Sequence, residues 1–244
     1  MTYTVMGKCG ETGAIGVAVT TASVNCSKVV PHVKGMLPTM RDDGAIVCSQ
    51  SMCNPMLSFK AFEHLDAGGS LDDMQGEFEA MDEYLFHRQV GIVTVGGDAW
   101  AYTGDKCFPN KSHVVGDGYV VMGNALSDGC IPAMQEAYEA GAGTDLAERL
   151  LSTLEAGRAA GGQEWEGQSI PEFFACIEVY DGKNPYAAVD IRVDFDPSAL
   201  VKLRKMYDNT HVGTDQYFDT FYRRPHEFND QTMAWAFELA GKQL

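Results

Sequence analysis

The sequence predicts an α+β fold: a four-layer αββα sandwich, in which two antiparallel sheets stack face to face and helices cover both outer faces. Three observations lead to this prediction. Strand patterns come mostly in adjacent pairs, two pairs of helical segments separate them, and 45% of the 244 residues are hydrophobic, enough for one large core. No interdomain linker or repeat of fixed period interrupts the pattern. We therefore expect a single domain over residues 1–208 and an aromatic, helical C-terminal extension over residues 209–244.

The first strand pair stands at the start of the chain. TYTVMG is expected as one strand, KCGETG as a turn and AIGVAVTT as the next strand. In the second strand Ile15, Val17 and Val19 point to one face, while Gly16 and Ala18 point to the other. A face of such small residues allows another backbone or a ligand to approach closely.

The later elements follow from hydrophobic periodicity and from capping and turn residues. The strands are expected at residues 45–51, 90–95, 99–104, 119–126, 173–182 and 187–195. The helices are expected at residues 56–66, 70–80, 130–140, 144–157, 197–207 and 229–241. Ser70 and Thr144 are the expected N-caps of the second and fourth of these helices.

Charge and cysteine usage limit the class of protein. Acidic residues outnumber basic ones 34 to 18, which gives a net charge of −16 and leaves no basic patch for nucleic acid or an anionic membrane. The seven cysteines form no CxxC pair, as expected of reduced thiols. No signal peptide or apolar run of about 18 residues occurs. We expect a cytoplasmic protein that binds neither nucleic acid nor membrane.

Motifs for cofactors and metals are absent from the sequence. It contains no GxGxxG, no GxxxxGK[ST] and no GxSxG elbow. It also lacks HExxH and DxDxDG, and His32 and His113 are expected in loops without a metal-like partner nearby. No cofactor and no metal are therefore expected.

Thr2 is the first candidate for chemistry. It follows the initiator Met1, which cells commonly remove when the next residue is as small as threonine. Removal would leave a hydroxyl nucleophile and an α-amine base in one residue, and this amine titrates at about 7.7–8.0. The alternative is that Thr2 is only the first residue of a strand.

Amide side chains stand where two predicted strands end. Gln50 is near the end of AIVCSQS, Asn54 follows in the next loop, and Asn124 follows Gly123 after YVVM. An amide N–H in such a place can stabilise the oxyanion of an acyl-transfer reaction. Asn54 and Asn124 are equally suited to turns or helix caps.

Arg88 is a candidate for substrate binding. It lies in HRQ, directly before the strand VGIVTV. A guanidinium can hold a substrate carboxylate with two hydrogen bonds. The alternative is an ion pair with Asp82 or Glu83.

Taken together, these motifs resemble an uncharacterised bacterial family, a domain of unknown function placed in the N-terminal-nucleophile (Ntn) hydrolase superfamily. The similarity spans residues 1 to about 207 in one order. The matching stretches are Met1-Thr2, ETGAIGVAVTTAS, VVPHVKG, Asn54-Pro55, HRQVGIV, AYTGxxC, GYVVMGNAL, LAERLLSTLEAGRAAGG, EGQS and VDIRVD.

The resemblance implies an αββα sandwich with Thr2 at the nucleophile position, acting on an amide in a small molecule or peptide. Gln50, Asn54 and Asn124 are then candidate oxyanion donors, and Arg88 would orient a carboxylate-bearing substrate. Gln168, in EGQS, joins Asn54 and Arg88 among the substrate-binding candidates. The chain departs from the family pattern at Gln163 and Glu166, where an Asp and a basic residue are usual, and in the loop SMCNPMLSF, which lacks an aromatic-Gly pair.

Two other functions remain open from the sequence. The departures favour a catalytically inactive binding or structural protein that keeps the sandwich. A cysteine-dependent amidase is the third possibility, because Cys48 and Cys53 flank the polar end of the third strand. The aromatic tail is too apolar to extend into water, so it either covers its own sheet edge or packs on a second copy. We expect the second arrangement, a homodimer.

Overall fold

The computed structural model describes residues 1–23, 44–182 and 187–211, with isolated positions at 224, 226, 234 and 238. The strands are β1 Thr2–Lys8, β2 Ile15–Thr21, β3 Ala45–Ser51, β4 Arg88–Thr94, β5 Ala99–Thr103, β6 Ser112–Gly116, β7 Tyr119–Asn124, β8 Glu164–Trp165, β9 Gln168–Ser169, β10 Phe174–Tyr180 and β11 Val189–Asp194. The helices are α1 Met56–Asp66, α2 Met74–Met81, α3 Cys130–Ala140, α4 Leu146–Ala159 and α5 Ala199–His211, with 3₁₀ turns at Leu71–Asp73 and Leu85–His87.

Antiparallel pairing joins these strands, as the sequence predicts. The larger sheet has the order β11-β10-β2-β1-β7-β6, and the smaller sheet has the order β3-β4-β5. The short strands β8 and β9 form a separate hairpin. The chain is thus a mixed α/β protein with several antiparallel sheets, consistent with the expected α+β class. β1 lies between β2 and β7, so its first residue is inside the sheet.

A core cluster joins the two larger sheets. Alternation along β1 places Thr2, Thr4 and Met6 on one face of the strand. Met6 belongs to a buried cluster that also contains Ile46 of β3 and Val93 of β4. This face of β1 is therefore directed toward the smaller sheet.

Helices pack on the other faces of both sheets. A Cβ built on Gly16 of β2 would lie 2.9 Å from Leu150 Cδ1 of α4, so the small-residue face of β2 serves the close approach of a helix. On the smaller sheet, Leu57 of α1 and Phe78 of α2 share a second buried cluster with Val90 and Ile92 of β4. Both helix pairs predicted from the sequence thus cover sheet faces.

Some predicted boundaries and one predicted loop were wrong. His113 lies in β6, not in a loop, because residues 112–116 pair with β7 across a tight turn in which Gly118 has φ of +70°. The N-cap of α4 is Asp145 and not Thr144, since Asp145 Oδ1 accepts from the backbone N–H groups of Ala147 (2.9 Å) and Glu148 (3.3 Å).

The chain divides into two compact units, Met1–Leu200 and Val201–Leu244. All the strands of the described residues lie in the first unit. The helix expected at residues 229–241, and the aromatic tail from which a homodimer was expected, lie almost entirely outside the described residues. Among the residues that the structure describes, no helix has both the length and the apolar character needed to cross a membrane.

Candidate active site

A cavity of about 370 Å³ opens where β1 begins and where β2 and β3 end. It contains Thr2 and its neighbours across the strands, together with the loop that follows β3. Its lining consists of Met1, Thr2, Val19, Thr21, Ala22, Ser23, Cys48, Ser49, Gln50, Ser51, Met52, Cys53 and Phe108. None of these described lining residues carries a charged side chain, whereas apolar and hydroxyl side chains are frequent.

Thr2 lies in this cavity because of strand register. It is paired with Thr21 of β2 on one side and with Asn124 of β7 on the other, and directly paired residues point to the same face. The hydroxyl of Thr2 donates to Thr21 Oγ1 at 3.1 Å. Thr21 Oγ1 in turn donates to the carbonyl oxygen of Met1 at 2.5 Å. The hydroxyl proposed from the sequence as a nucleophile is thus held at a cavity wall.

Two sequence-predicted amides meet in a buried hydrogen-bond network behind the cavity. Gln50 Nε2 donates to Gln89 Oε1 at 2.7 Å, and Asn124 Nδ2 donates to the same oxygen at 3.1 Å. Gln50 Oε1 accepts from the hydroxyl of Thr4 at 2.6 Å. Gln50 lines the cavity, whereas Asn124 is fully buried and outside its lining, with Oδ1 lacking a partner among the described residues.

Asn54 and Arg88 are engaged with one carboxylate. Asn54 Nδ2 donates to Asp82 Oδ2 at 2.7 Å, and Arg88 Nε donates to the same oxygen at 3.0 Å. Arg88 also donates through Nη1 to the carbonyl oxygen of Met52, which lines the cavity. The two side chains therefore fasten the loop that forms the cavity rim, and neither lines the cavity.

The lowered pKa of the Asp82 carboxyl is consistent with its anchoring the loop at the cavity rim through Asn54 and Arg88. Burial raises the pKa of its carboxyl, but hydrogen bonds from Asn54 and Arg88 and from the Tyr84 backbone N–H outweigh burial and hold the pKa below its usual value. The carboxylate stays ionised at neutral pH and keeps both partners.

Gln168 lies apart from this cavity. It is exposed and paired with Trp165 in the β8-β9 hairpin. Gln163 is fully buried instead, and its Oε1 accepts from the backbone N–H of Ala22, a cavity-lining residue, at 2.6 Å. The amide that replaces the usual Asp thus supports the cavity rim.

The thiol of Cys48 is poorly suited to nucleophilic attack. Burial raises its pKa to about 12, and the hydrogen bond with Thr4 only partly offsets that effect. The thiolate is therefore scarce at neutral pH. Cys53 lines the cavity as well.

Gln89 and Thr21 are site residues that sequence reasoning missed. Gln89 directly follows Arg88, and only Arg88 was predicted from the sequence as a site residue, because its guanidinium can bind a carboxylate. Its signal was the alternation Gln89, Gly91, Val93, which places the amide on the buried face of β4. Thr21 had no signal until the register of β1 and β2 was known.

A second cavity, of about 540 Å³, lies at the opposite end of β1. Charged residues and glycine turns line it, including Lys8, Asp117, Glu139 and Arg149. Within the described chain, no group of three or more His, Cys, Asp or Glu side chains is arranged to hold a metal ion.

A protein of known structure has a similar fold. A crystal structure of protein SPO2555 from Silicibacter pomeroyi, assigned to the family DUF1028, superimposes with a TM-score of 0.72 at 24% identity, covering 87% of this chain and 90% of that one. No curated protein matches the chain. The model of the family of unknown function DUF1028 matches residues 2–203. The chain therefore belongs to the DUF1028 family.

Proposed function

We propose that the protein is an amidohydrolase of the Ntn type, built on a four-layer αββα sandwich, with Thr2 as nucleophile after removal of Met1. The observation that carries the proposal is the position of Thr2. It begins a central strand, lines a 370 Å³ cavity and has its hydroxyl hydrogen-bonded to Thr21. The packing of helices against two antiparallel sheets that share a core cluster supports the same proposal.

The reaction would proceed through an ester of Thr2. Its Oγ forms a bond to the carbonyl carbon of the substrate amide, and its proton passes to the α-amine. The tetrahedral intermediate then loses the amine leaving group, which takes that proton, and the acyl group remains on Oγ. Water attacks the ester, releases the carboxylic acid and returns the proton to Oγ. One amide and one water thus give one amine and one acid.

Gln50 is the oxyanion donor that the geometry favours. Its amide lines the cavity and is fixed by hydrogen bonds at both the nitrogen and the oxygen. A donor held in this way needs no reorganisation when charge develops on the carbonyl oxygen.

The lining of the cavity favours an uncharged, largely apolar acyl group. Val19, Met52 and Phe108 provide apolar surface, and no side chain of the described lining is a cation that could hold a carboxylate. Arg88, expected from the sequence to orient an acidic substrate, is engaged with Asp82. The volume is at the lower end of the range of small-molecule sites, about 300–1,000 Å³.

A binding protein without turnover is the second candidate, and the residue at position 163 favours it. Where an Asp is usual in the family, this chain has Gln163, whose amide has no acid–base chemistry and whose Oε1 accepts from the backbone N–H of Ala22 at the cavity rim. A chain that kept Met1 would also be of this kind, because the nitrogen of Thr2 would then be an amide and not a base.

The proposal is tested with a neutral β-lactone that carries a short alkyl chain. Attack by Thr2 Oγ would open the ring, so the protein would gain the whole mass of the reagent, and peptide mapping would locate the ester on Thr2. The variant Thr2→Ser is expected to keep labelling. Thr2→Val keeps the shape but lacks the hydroxyl, and labelling at residue 2 should fall by at least about 100-fold.

A label on another residue, at equal rate in Thr2→Val, would contradict the proposal. Labelling confined to Cys53 would favour the cysteine-dependent alternative instead. Absence of any label from a chain that begins at Thr2 would favour the binding role.

A further inference from the structure

Gln89 has an amide whose orientation is fixed by its surroundings. The side chain is fully buried on β4. Its Nε2 lies 2.8 Å from Thr103 Oγ1, 3.1 Å from the Ser112 carbonyl oxygen and 3.0 Å from the Gly123 carbonyl oxygen. Carbonyl oxygens only accept hydrogen bonds, so a flipped amide would place oxygen against oxygen at two of the three contacts. The nitrogen must therefore face these acceptors.

The oxygen of Gln89 must then face the opposite way, toward Gln50. It accepts from Gln50 Nε2 at 2.7 Å and from Asn124 Nδ2 at 3.1 Å. Because Gln89 Oε1 can only accept a hydrogen bond, the Gln50 atom that faces it must be the amide nitrogen and not the amide oxygen. The orientation is thus passed from one amide to the next.

The orientation of the Gln50 amide is fixed in the same way. Its nitrogen faces Gln89, and its Oε1 accepts from Thr4 Oγ1 at 2.6 Å. A primary amide has two hydrogens, and the bond to Gln89 uses one. Among the described residues no acceptor takes the second hydrogen, and Gln50 lines the cavity. Thr4 is two residues from Thr2 on the same face of β1, a spacing of about 7 Å.

We infer that Gln89 is a positioning residue for catalysis: it holds the free N–H of Gln50 toward the cavity, where the oxyanion would form. This inference rests on the proposed function. Without Gln89 the Gln50 amide can rotate and present its oxygen, which repels an oxyanion. The rate depends strongly on such placement, since a donor moved by about 1 Å can cost about 100-fold.

The test compares the lactone reaction of the wild type with that of Gln89→Met, which keeps side-chain length but removes both hydrogen-bonding atoms. The maximum labelling rate of Thr2 is expected to fall by about 10- to 100-fold. The lactone concentration at half-maximal rate should stay within about 3-fold, because Gln89 does not line the cavity.

Val90→Ala is the matched control for lost packing. Val90 is fully buried on the same strand, but it faces the cluster with α1 and α2 and not the network. Truncation there loosens β4 without freeing Gln50, so the maximum rate should remain within about 3-fold of the wild type. An equal loss of rate in both variants would overturn the inference.

A second measurement does not depend on turnover. In ¹⁵N-correlated NMR spectra, the side-chain amide of Gln50, assigned through Gln50→Glu, should show slow exchange for one of its two protons in the wild type. Two rapidly exchanging protons would overturn the inference, even if Gln89→Met fails to fold.

A wild type that labels at Thr2 and a Gln89→Met variant that labels equally fast would also overturn it, while leaving the proposed function intact. A wild type with no label would contradict the proposed function, and the NMR result would then still show whether the Gln50 amide is held in one orientation.

Discussion

At the scale of single residues, the site depends on side chains whose hydrogen bonds leave little choice of orientation. Thr2 and Thr21 share a hydrogen bond across two strands, and Gln50 and Gln89 fix each other. Buried polar groups of this kind are costly unless they are satisfied, so a fully engaged set specifies one arrangement. The orphaned Oδ1 of Asn124 is an exception in this set among the described residues.

His113 extends the network to β6 and should make stability depend on pH. Thr103 Oγ1 accepts from Gln89 and lies 2.8 Å from His113 Nδ1, and the tautomer of the ring decides which of these two atoms donates. Burial of the imidazole lowers the pKa of His113 below its usual value of 6.5. Below pH 6.5 the unfolded chain then binds more protons than the folded chain. The stabilisation is therefore complete above pH 6.5 and is lost as pH falls toward the folded pKa.

Urea unfolding at pH 7.5 and pH 5.5 checks this expectation. The wild type should lose more stability between the two values than His113→Gln, whose amide oxygen can accept from Thr103 but does not titrate. Equal losses in the two proteins would show that His113 does not contribute to the pH dependence.

At the scale of elements, the sequence predicted most helices and strands but not how they meet. The helix at residues 56–66 was confirmed as α1. The alternation in β2 was also confirmed, since Ile15, Val17 and Val19 share the cluster between the sheets while Gly16 faces the helix α4. The order β11-β10-β2-β1-β7-β6 could not be read from the sequence, because it depends on which distant strands bury each other's side chains. For the same reason Gln89 and Thr21 emerged as site residues only with the strand registers.

The approach of α4 to the larger sheet should depend on Gly16. An added Cβ would lie 2.7 Å from Val179 Cγ2, 2.9 Å from the Glu178 carbonyl oxygen and 2.9 Å from Leu150 Cδ1. Gly16→Ala should therefore destabilise the protein by about 1–3 kcal/mol in urea unfolding. Gly10→Ala is the matched control, since nothing lies within 4 Å of its added Cβ, and its effect should stay within about 0.5 kcal/mol. Similar losses of stability in both variants would mean that the close packing around Gly16 is not the cause of the destabilisation.

At the scale of the whole molecule, charge and cavity lining act together on the choice of substrate. The chain carries a net charge of −16, and the described lining of the cavity near Thr2 has no charged side chain. An anionic reagent would meet repulsion on approach and find no cationic side chain in that lining.

A β-lactone bearing a carboxylate should consequently label Thr2 at least about 10-fold more slowly than a neutral lactone of equal length. Part of this difference should disappear at high salt, because exposed charges are screened within about 3 Å at 1 M ionic strength. Faster labelling by the carboxylate reagent would instead support the substrate class that the sequence first suggested for Arg88.

The most direct test of the central claim is the mass of the intact protein isolated from its own source, followed by sequencing of its N-terminal peptide. We expect a chain that begins at Thr2, with a free α-amine next to the hydroxyl that faces the cavity. A chain that retains Met1 throughout would contradict it, because the base required by the proposed mechanism would not exist.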